Sequence, residues 1–247
     1  MQSLSKLATH AVSEASKLLK SEYSLDAAFV TSALGKDIKT QADVAAEELI
    51  ISILSESGIP VIAEETASDI LLHGDDAMWI VDPLDGTMNW KRGFPIASVS
   101  IALWKNRQPL IGVVEDLFND QVFVSETGRG AFCNGSCINV SSVKKQSDAV
   151  IATGLPVLRS FKTEDLEMMI HQLQSFKKVR MIGSAAMSLA YVAKGVFDTY
   201  SEDNIMLWDF AAGLALVKAA GGNYRMTPGS SPNAYNIMAS NGVIPFS

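Results

Sequence analysis

The sequence predicts an α+β fold built from several stacked layers, on three observations. Apolar residues recur at helical spacing near the N-terminus, alternate with period two from 96 to 140, and then punctuate a run of strands and helices beyond Ser147. Leu4, Leu7, Ala8, Ala11, Val12, Ala15, Leu18 and Leu19 share one helical face, so residues 3–20 predict an amphipathic helix. A second helix fits 41–57, opened by Thr40 as N-cap and stopped by Gly58. Pro60 to Ala63 is a short strand that ends at Glu64-Glu65; residues 66–77 form a polar, acidic connection and 78–82 the next strand. Ile96–Lys105, Leu110–Glu115 and Gln121–Glu126 read as an antiparallel meander with turns at Asn106-Arg107 and Asn119-Asp120. Asn134-Gly135 adds a strong hairpin signal. Strands at 149–153, 178–182 and 196–200 then alternate with helices at 163–175 and 184–194. A helix at 208–220 closes on Gly221-Gly222, before short strands near 223–226 and 236–240. Neither a repeat nor a linker interrupts the chain. The two halves, 1–146 and 147–247, are therefore expected to share one compact domain.

Composition narrows the function. A chain of 247 residues with 48% hydrophobic and 19% charged residues can bury a full core, which argues against disorder. No apolar run reaches the roughly 18–20 residues of a membrane span. The N-terminus lacks a basic segment followed by an apolar one, so the expected compartment is the cytoplasm. A net charge of −7 argues against a nucleic-acid surface, and Lys144-Lys145 and Lys177-Lys178 with Arg180 read as solvated clusters. Cys133 and Cys137 flank the hairpin turn; there Cys133 would face Ser136, so no disulfide is expected and no zinc spacing is present. His10, His73 and His171 sit in no motif and are expected at the surface.

The chemistry concentrates in Trp79-Ile80-Val81-Asp82-Pro83-Leu84-Asp85-Gly86-Thr87. A buried strand gains nothing by ending in two aspartates, because like charges so close repel unless a cation or a proton lies between them. A divalent metal is the simplest account, and Gly86-Thr87 offers backbone N–H groups to an anion. Glu64, Glu65 and Asp209 also sit at element boundaries, and oxygen ligands from several elements suit Mg2+. Each acid taken singly reads equally well as an exposed turn residue or helix cap, and spacing alone does not join Asp209 to the pair. Thr87 and Ser184 read equally as N-caps. Two look-alikes fail. Aspartate-nucleophile phosphatases of the haloacid dehalogenase type place one residue between their aspartates, whereas Pro83 and Leu84 stand here. Aspartic proteases need their Asp-Thr/Ser-Gly motif twice, and this chain has Asp85-Gly86-Thr87 once.

Three separated motifs resemble the inositol monophosphatase family, within the lithium-sensitive, magnesium-dependent phosphatase superfamily, and the likeness extends over most of the chain. Ala63-Glu64-Glu65-Thr66 is similar to the family's Gly-Glu-Glu-Ser/Thr with alanine in place of glycine. Asp82-Pro83-Leu84-Asp85-Gly86-Thr87 fits the central motif, and Trp208-Asp209-Phe210-Ala211-Ala212-Gly213 the third, followed by Gly221-Gly222. The resemblance implies a layered αβαβα sandwich and a Mg2+-dependent phosphomonoesterase using two to three ions. It assigns Glu64, Asp82 and the Leu84 carbonyl to a first ion, Asp82, Asp85 and Asp209 to a second, and Glu64 to a weaker third. Gly86 and Thr87 would bind phosphate, Asp43 would hydrogen-bond Thr87, and Glu64 with Thr87 would orient the attacking water. Ser184, Glu202, Asp85 and Asp209 would line the sugar or cyclitol hydroxyls. The implied substrate is inositol phosphate or a similar small polyol phosphate. Histidinol phosphate and 3′(2′),5′-bisphosphate nucleotides are the alternatives, and a non-catalytic role with RNA or transcription partners a more distant one. A homodimer and lithium inhibition are also implied. The sequence departs from the pattern at Trp90, Lys91-Arg92, the compact Gly35–Asp43 segment and the acidic neighbours of Glu202.

Overall fold

Helix α1 (Leu4–Glu22) starts at Ser3, whose hydroxyl accepts from the Lys6 N–H, and buries Leu7, Ala8, Ala11, Val12, Ala15 and Leu19 along one stripe. The computed structural model describes residues 3–23, 30–34, 37–66, 76–155 and 162–246. Strands β1 (Val30–Leu34) and β2 (Asp37–Thr40) pair antiparallel and lead into α2 (Gln41–Leu54). A 3-10 turn at Ser55–Ser57 then ends at left-handed Gly58. Most of the acidic connection, with His73, lies outside the described residues.

A seven-stranded sheet follows in the order β3 (Val61–Ala63), β4 (Met78–Asp85), β5 (Ser98–Lys105), β6 (Gln108–Asp116), β7 (Val122–Glu126), β8 (Gly130–Cys133) and β9 (Ser136–Ile138). Only β3 and β4 are parallel; the rest is the expected meander. The hairpin turns at Asn134 and Gly135, both at positive φ, which pairs Cys133 with Ser136 and leaves both cysteines free. Strands β4, β5 and β6 are buried on both faces and read as near-continuous apolar runs, whereas β7 and β8 toward the edge alternate. Trp79 and Val81 pack with α1 and α2, whereas Met78 and Ile80, displaced by one residue, pack in the second core.

That second core holds α5 (Ala185–Ala193) and α6 (Leu207–Ala219) between the first sheet and a five-stranded one. The second sheet runs β11 (Lys178–Arg180), β10 (Val150–Thr153), β12 (Thr199–Met206), β14 (Ala234–Ser240), β13 (Asn223–Pro228). Helix α4 (Thr163–Gln174) crosses from β10 to its parallel neighbour β11, and α5 crosses back from β11 past β10 to β12. Right-handed crossovers in opposite directions place their helices on opposite faces of a sheet. With α5 in the inner core, α4 takes the outer face as the fifth layer, which gives the αβαβα order.

The largest differences from the sequence reading lie at two strands and one strand pair. Strand β4 continues past Asp82 through Asp85. The strand expected at 196–200 runs instead over Thr199–Met206, because a bulge at Asp203-Asn204 hides its alternation. The β1–β2 pair, in a segment with little apolar periodicity, was not anticipated.

Candidate active site

The ladder between β4 and β5 pairs Asp82 with Ser100 and Asp85 with Ser98, so three steps on β4 oppose two on β5. In a regular strand, residues three apart face opposite ways; the extra residue at Pro83-Leu84 turns both carboxylates to one side. A proline is tolerated there because a bulge leaves one N–H out of the ladder. The Leu84 N–H folds back onto Asp82 Oδ1 at 3.0 Å. The chain then turns through Gly86, at φ 86°, into the short helix α3 (Thr87–Arg92). A Cβ on Gly86 would stand 3.1 Å from the Ile96 carbonyl oxygen and 3.3 Å from that of Gly183, so both conformation and space call for glycine.

Thr87 Oγ1 lies 3.0 Å from Asp43 Oδ1 and 3.0 Å from the Leu84 carbonyl oxygen, its single proton shared between them. Asp43 is the third residue of α2. Its Oδ2 accepts from the Thr40 N–H at 2.8 Å and from the Thr40 hydroxyl, the reciprocal half of a capping box. Burial pushes Asp43 up, and the Thr40 and Thr87 hydrogen bonds oppose it. Asp209 repeats the arrangement as the third residue of α6, its Oδ2 accepting from the Met206 N–H at 3.2 Å.

The carboxylate of Asp85, at the end of β4, reaches the start of α5. It accepts from the Ala186 N–H at 3.0 Å, the Ala185 N–H at 3.3 Å, the Ser184 hydroxyl, and the Ser98 hydroxyl at 3.4 Å. Burial pushes it up to about 6 against those hydrogen bonds. Asp82 is also raised, first by burial and then by the charges of Glu64, Asp85 and Asp209, and it shares a hydrogen bond with Glu64. Glu64 follows β3 and donates its N–H to the Val81 carbonyl at 3.2 Å. Among the described residues no three His, Cys, Asp or Glu side chains stand together closely enough to hold an ion as they are placed.

The structure therefore brings Asp43, Glu64, Asp82, Leu84, Asp85, Gly86, Thr87, Ser184 and Asp209 into one neighbourhood, from both halves of the chain. Ser184 caps α5 by accepting from the Met187 N–H, while its hydroxyl proton goes to Asp85. Glu202 is near enough for the Asp85 charge to act on it. Burial raises its carboxyl to about 7; the Tyr200 hydroxyl opposes that and the charges of Asp85 and Asp203 add to it.

Several supporting residues were missed in the sequence. Glu47 is buried on α2, and its Oε2 accepts from the Glu65 N–H at 2.7 Å. Its place on the same face as Ala46 and Ile50 was the available signal. Asn89 Nδ2 donates to the carbonyls of Ile182 at 2.7 Å and Ile96 at 2.9 Å, which ties α3 to the loop before α5. Tyr200 and Gly154 flank Glu202 and carried no such signal.

A model of the inositol monophosphatase family matches residues 1–245. Inositol-1-monophosphatase of Mesorhizobium japonicum is 39% identical over 191 residues, covering 75% of this chain and 71% of that protein. Nus factor SuhB of Xylella fastidiosa is 38% identical over 190 residues, covering 75% and 68%. The solved extragenic suppressor protein suhB of Bartonella henselae superposes with a TM-score of 0.84 at 34% identity, covering 96% of this chain and 93% of the other. An oxygen-lined acid cluster on that scaffold has a ready explanation, since this chain belongs to the inositol monophosphatase family of phosphatases.

Proposed function

We propose that this chain is a Mg2+-dependent phosphomonoesterase that hydrolyses inositol monophosphate or a similar small polyol phosphate. The observation that carries the reading is Asp82: a fully buried carboxyl that feels the charges of three further acids. A carboxylate so placed stays ionised only with positive charge beside it, and donors that are all oxygen suit Mg2+. Glu64, Asp82 and the Leu84 carbonyl would hold one ion and Asp82, Asp85 and Asp209 a second, with Glu64 contributing to a third. When bound, such ions neutralise developing charge and lower the pKa of the attacking water.

The protein's own groups do the positioning. Asp43 and the Leu84 carbonyl share the Thr87 hydroxyl proton and so direct the lone pairs that Thr87 offers. Glu64 and Thr87 orient water for attack in line with the leaving oxygen, and the Gly86 and Thr87 N–H groups hold phosphate. Asp85, Ser184, Glu202 and Asp209 line the leaving group. Asp82→Asn tests the reading: Mg2+-dependent phosphate release is expected to disappear while the circular dichroism spectrum stays that of the parent. Parent-like turnover by this variant would remove the assignment. A panel of phosphorylated metabolites separates the substrates; preference for histidinol phosphate or a bisphosphate nucleotide would replace the polyol. A homodimer belongs to the same reading, and a monomer mass by light scattering would exclude it.

A further inference from the structure

Tyr200 and Glu202 are two residues apart on β12 and so share a face of the strand. Tyr200 is 1% exposed and packs in the core that contains α5 and α6. Its cross-strand neighbours are Ala152 on one side and Ala239 on the other, and these two small side chains leave width for the ring. The phenol donates to Glu202 Oε2 at 2.5 Å. The charges of Glu202, Asp209 and Asp85 reach the ring, so its hydroxyl lies beside the acid cluster and keeps its proton. On the neighbouring strand's end, a Cβ added to Gly154 would lie 2.3 Å from Glu202 Oε2, 2.5 Å from Oε1 and 2.6 Å from Cδ. The carboxyl thus rests directly on the Gly154 backbone. The Thr153 hydroxyl bonds the Ser201 carbonyl at 2.7 Å and keeps the two strands together at that point.

We infer that Tyr200 and Gly154 set leaving-group specificity by holding the Glu202 carboxyl in one orientation, with Oε2 capped and Oε1 left to accept from a substrate hydroxyl. The inference rests on the phosphatase reading above and deepens it: the site selects phosphate esters whose leaving group carries a free hydroxyl. Tyr200 and Gly154 touch neither phosphate nor the reacting oxygen; they are positioning residues. Without the phenol the buried carboxyl loses its fixed partner and rotates. Any side chain at 154 displaces it outright.

The test compares inositol 1-phosphate with p-nitrophenyl phosphate, whose leaving group has no second hydroxyl, using the full chain with Mg2+. Tyr200→Phe is expected to lower the selectivity for the polyol over the aryl ester, as a ratio of kcat/KM, by about ten-fold or more, mainly through KM. Gly154→Ala is expected to do the same by a separate route, and it decides the matter should Tyr200→Phe fail to fold. Added to Glu202→Ala, Tyr200→Phe is expected to cost no further selectivity, because it acts through Glu202. Equal losses on both esters, or full additivity with Glu202→Ala, would overturn the inference and leave the phosphatase reading standing. Release of phosphate from neither ester by the parent chain would remove both.

Discussion

Lowering the pH of the chelator-treated protein from about 7.5 to about 5 is expected to raise its melting temperature, and Mg2+ is expected to raise it most at the higher pH. The reasoning starts at Asp85, which burial lifts from 3.8 to about 6. At about 1.36 kcal/mol per pH unit, that displacement amounts to about 3 kcal/mol of destabilisation when the group is ionised. The folded state binds the proton more tightly than the unfolded one. The penalty is therefore fully present above pH 6 and is relieved as pH falls through 6 toward 3.8. By pH 5 roughly half of it is gone. Glu202, raised by burial from 4.5 to about 7, acts in the same direction and contributes on the order of 2 kcal/mol over that range. Asp82 is displaced the same way. For a chain of this size about 1 kcal/mol moves the melting temperature by roughly 2–4 °C, so the expected rise is roughly 5–15 °C. Calorimetry in chelator and in Mg2+ at the two pH values reads it directly. A melting temperature that falls on acidification in chelator, or an equal Mg2+ shift at both pH values, would refute the electrostatic account.

Two further changes probe the scaffold under the cluster. Glu47→Ala removes the acceptor for the Glu65 N–H and is expected to raise the Mg2+ concentration needed for half-maximal activity by about ten-fold, with Glu47→Gln restoring much of it. An unchanged Mg2+ titration, followed by activity and by melting temperature, would show that the turn after β3 needs no such anchor. Gly112→Ala would set a Cβ 2.4 Å from the Ala212 carbonyl oxygen and 2.7 Å from Ala215 Cβ, where α6 crosses β6. It is expected to cost about 1–3 kcal/mol, seen as a lower urea midpoint with an unchanged KM for Mg2+. An undisturbed midpoint would contradict so close an approach of helix and sheet.

Where local chemistry and tertiary packing agreed, the sequence was readable. Asn134-Gly135 demands positive φ twice, and the hairpin register followed from that alone. Residues 3–20 carry one apolar stripe, and α1 buries it. Legibility failed where a bulge shifts the period. After Glu202, Asp203-Asn204 occupy the place of one residue opposite Asn236, and Asn204 takes φ 56° with its side chain accepting from Ser230. Strand alternation breaks there, so β12 looked finished at 200. At β4 the same kind of bulge was visible only as an oddly spaced pair of aspartates. The motifs supplied the acids, but not what holds them. Glu47, Asn89 and Tyr200 act through partners 18, 93 and 2 residues away, and only folding reveals which buried polar group meets which.

The way each acid is held accounts for the division of labour among them. Asp43 and Asp209 both stand third in a helix and reach back to the N–H that opens it, one in each half of the chain. Asp85 takes two N–H groups at the start of α5. Helix N-termini carry partial positive charge, so these three carboxylates are met by protein before any cation arrives. Asp82 differs. It lies within β4, accepts the N–H of Leu84 at a strand bulge, and stands among other acids, so that burial and their charges outweigh that hydrogen bond and move its carboxyl upward. The fold thus meets three of these carboxylates with helix N-termini and leaves Asp82 with a strand-bulge N–H against the charges of its neighbours. Under the phosphatase reading, that is the group shared by both ions. Replacing Asp82 should then abolish more of the Mg2+ response than replacing Asp85, although Asp85 makes more hydrogen bonds.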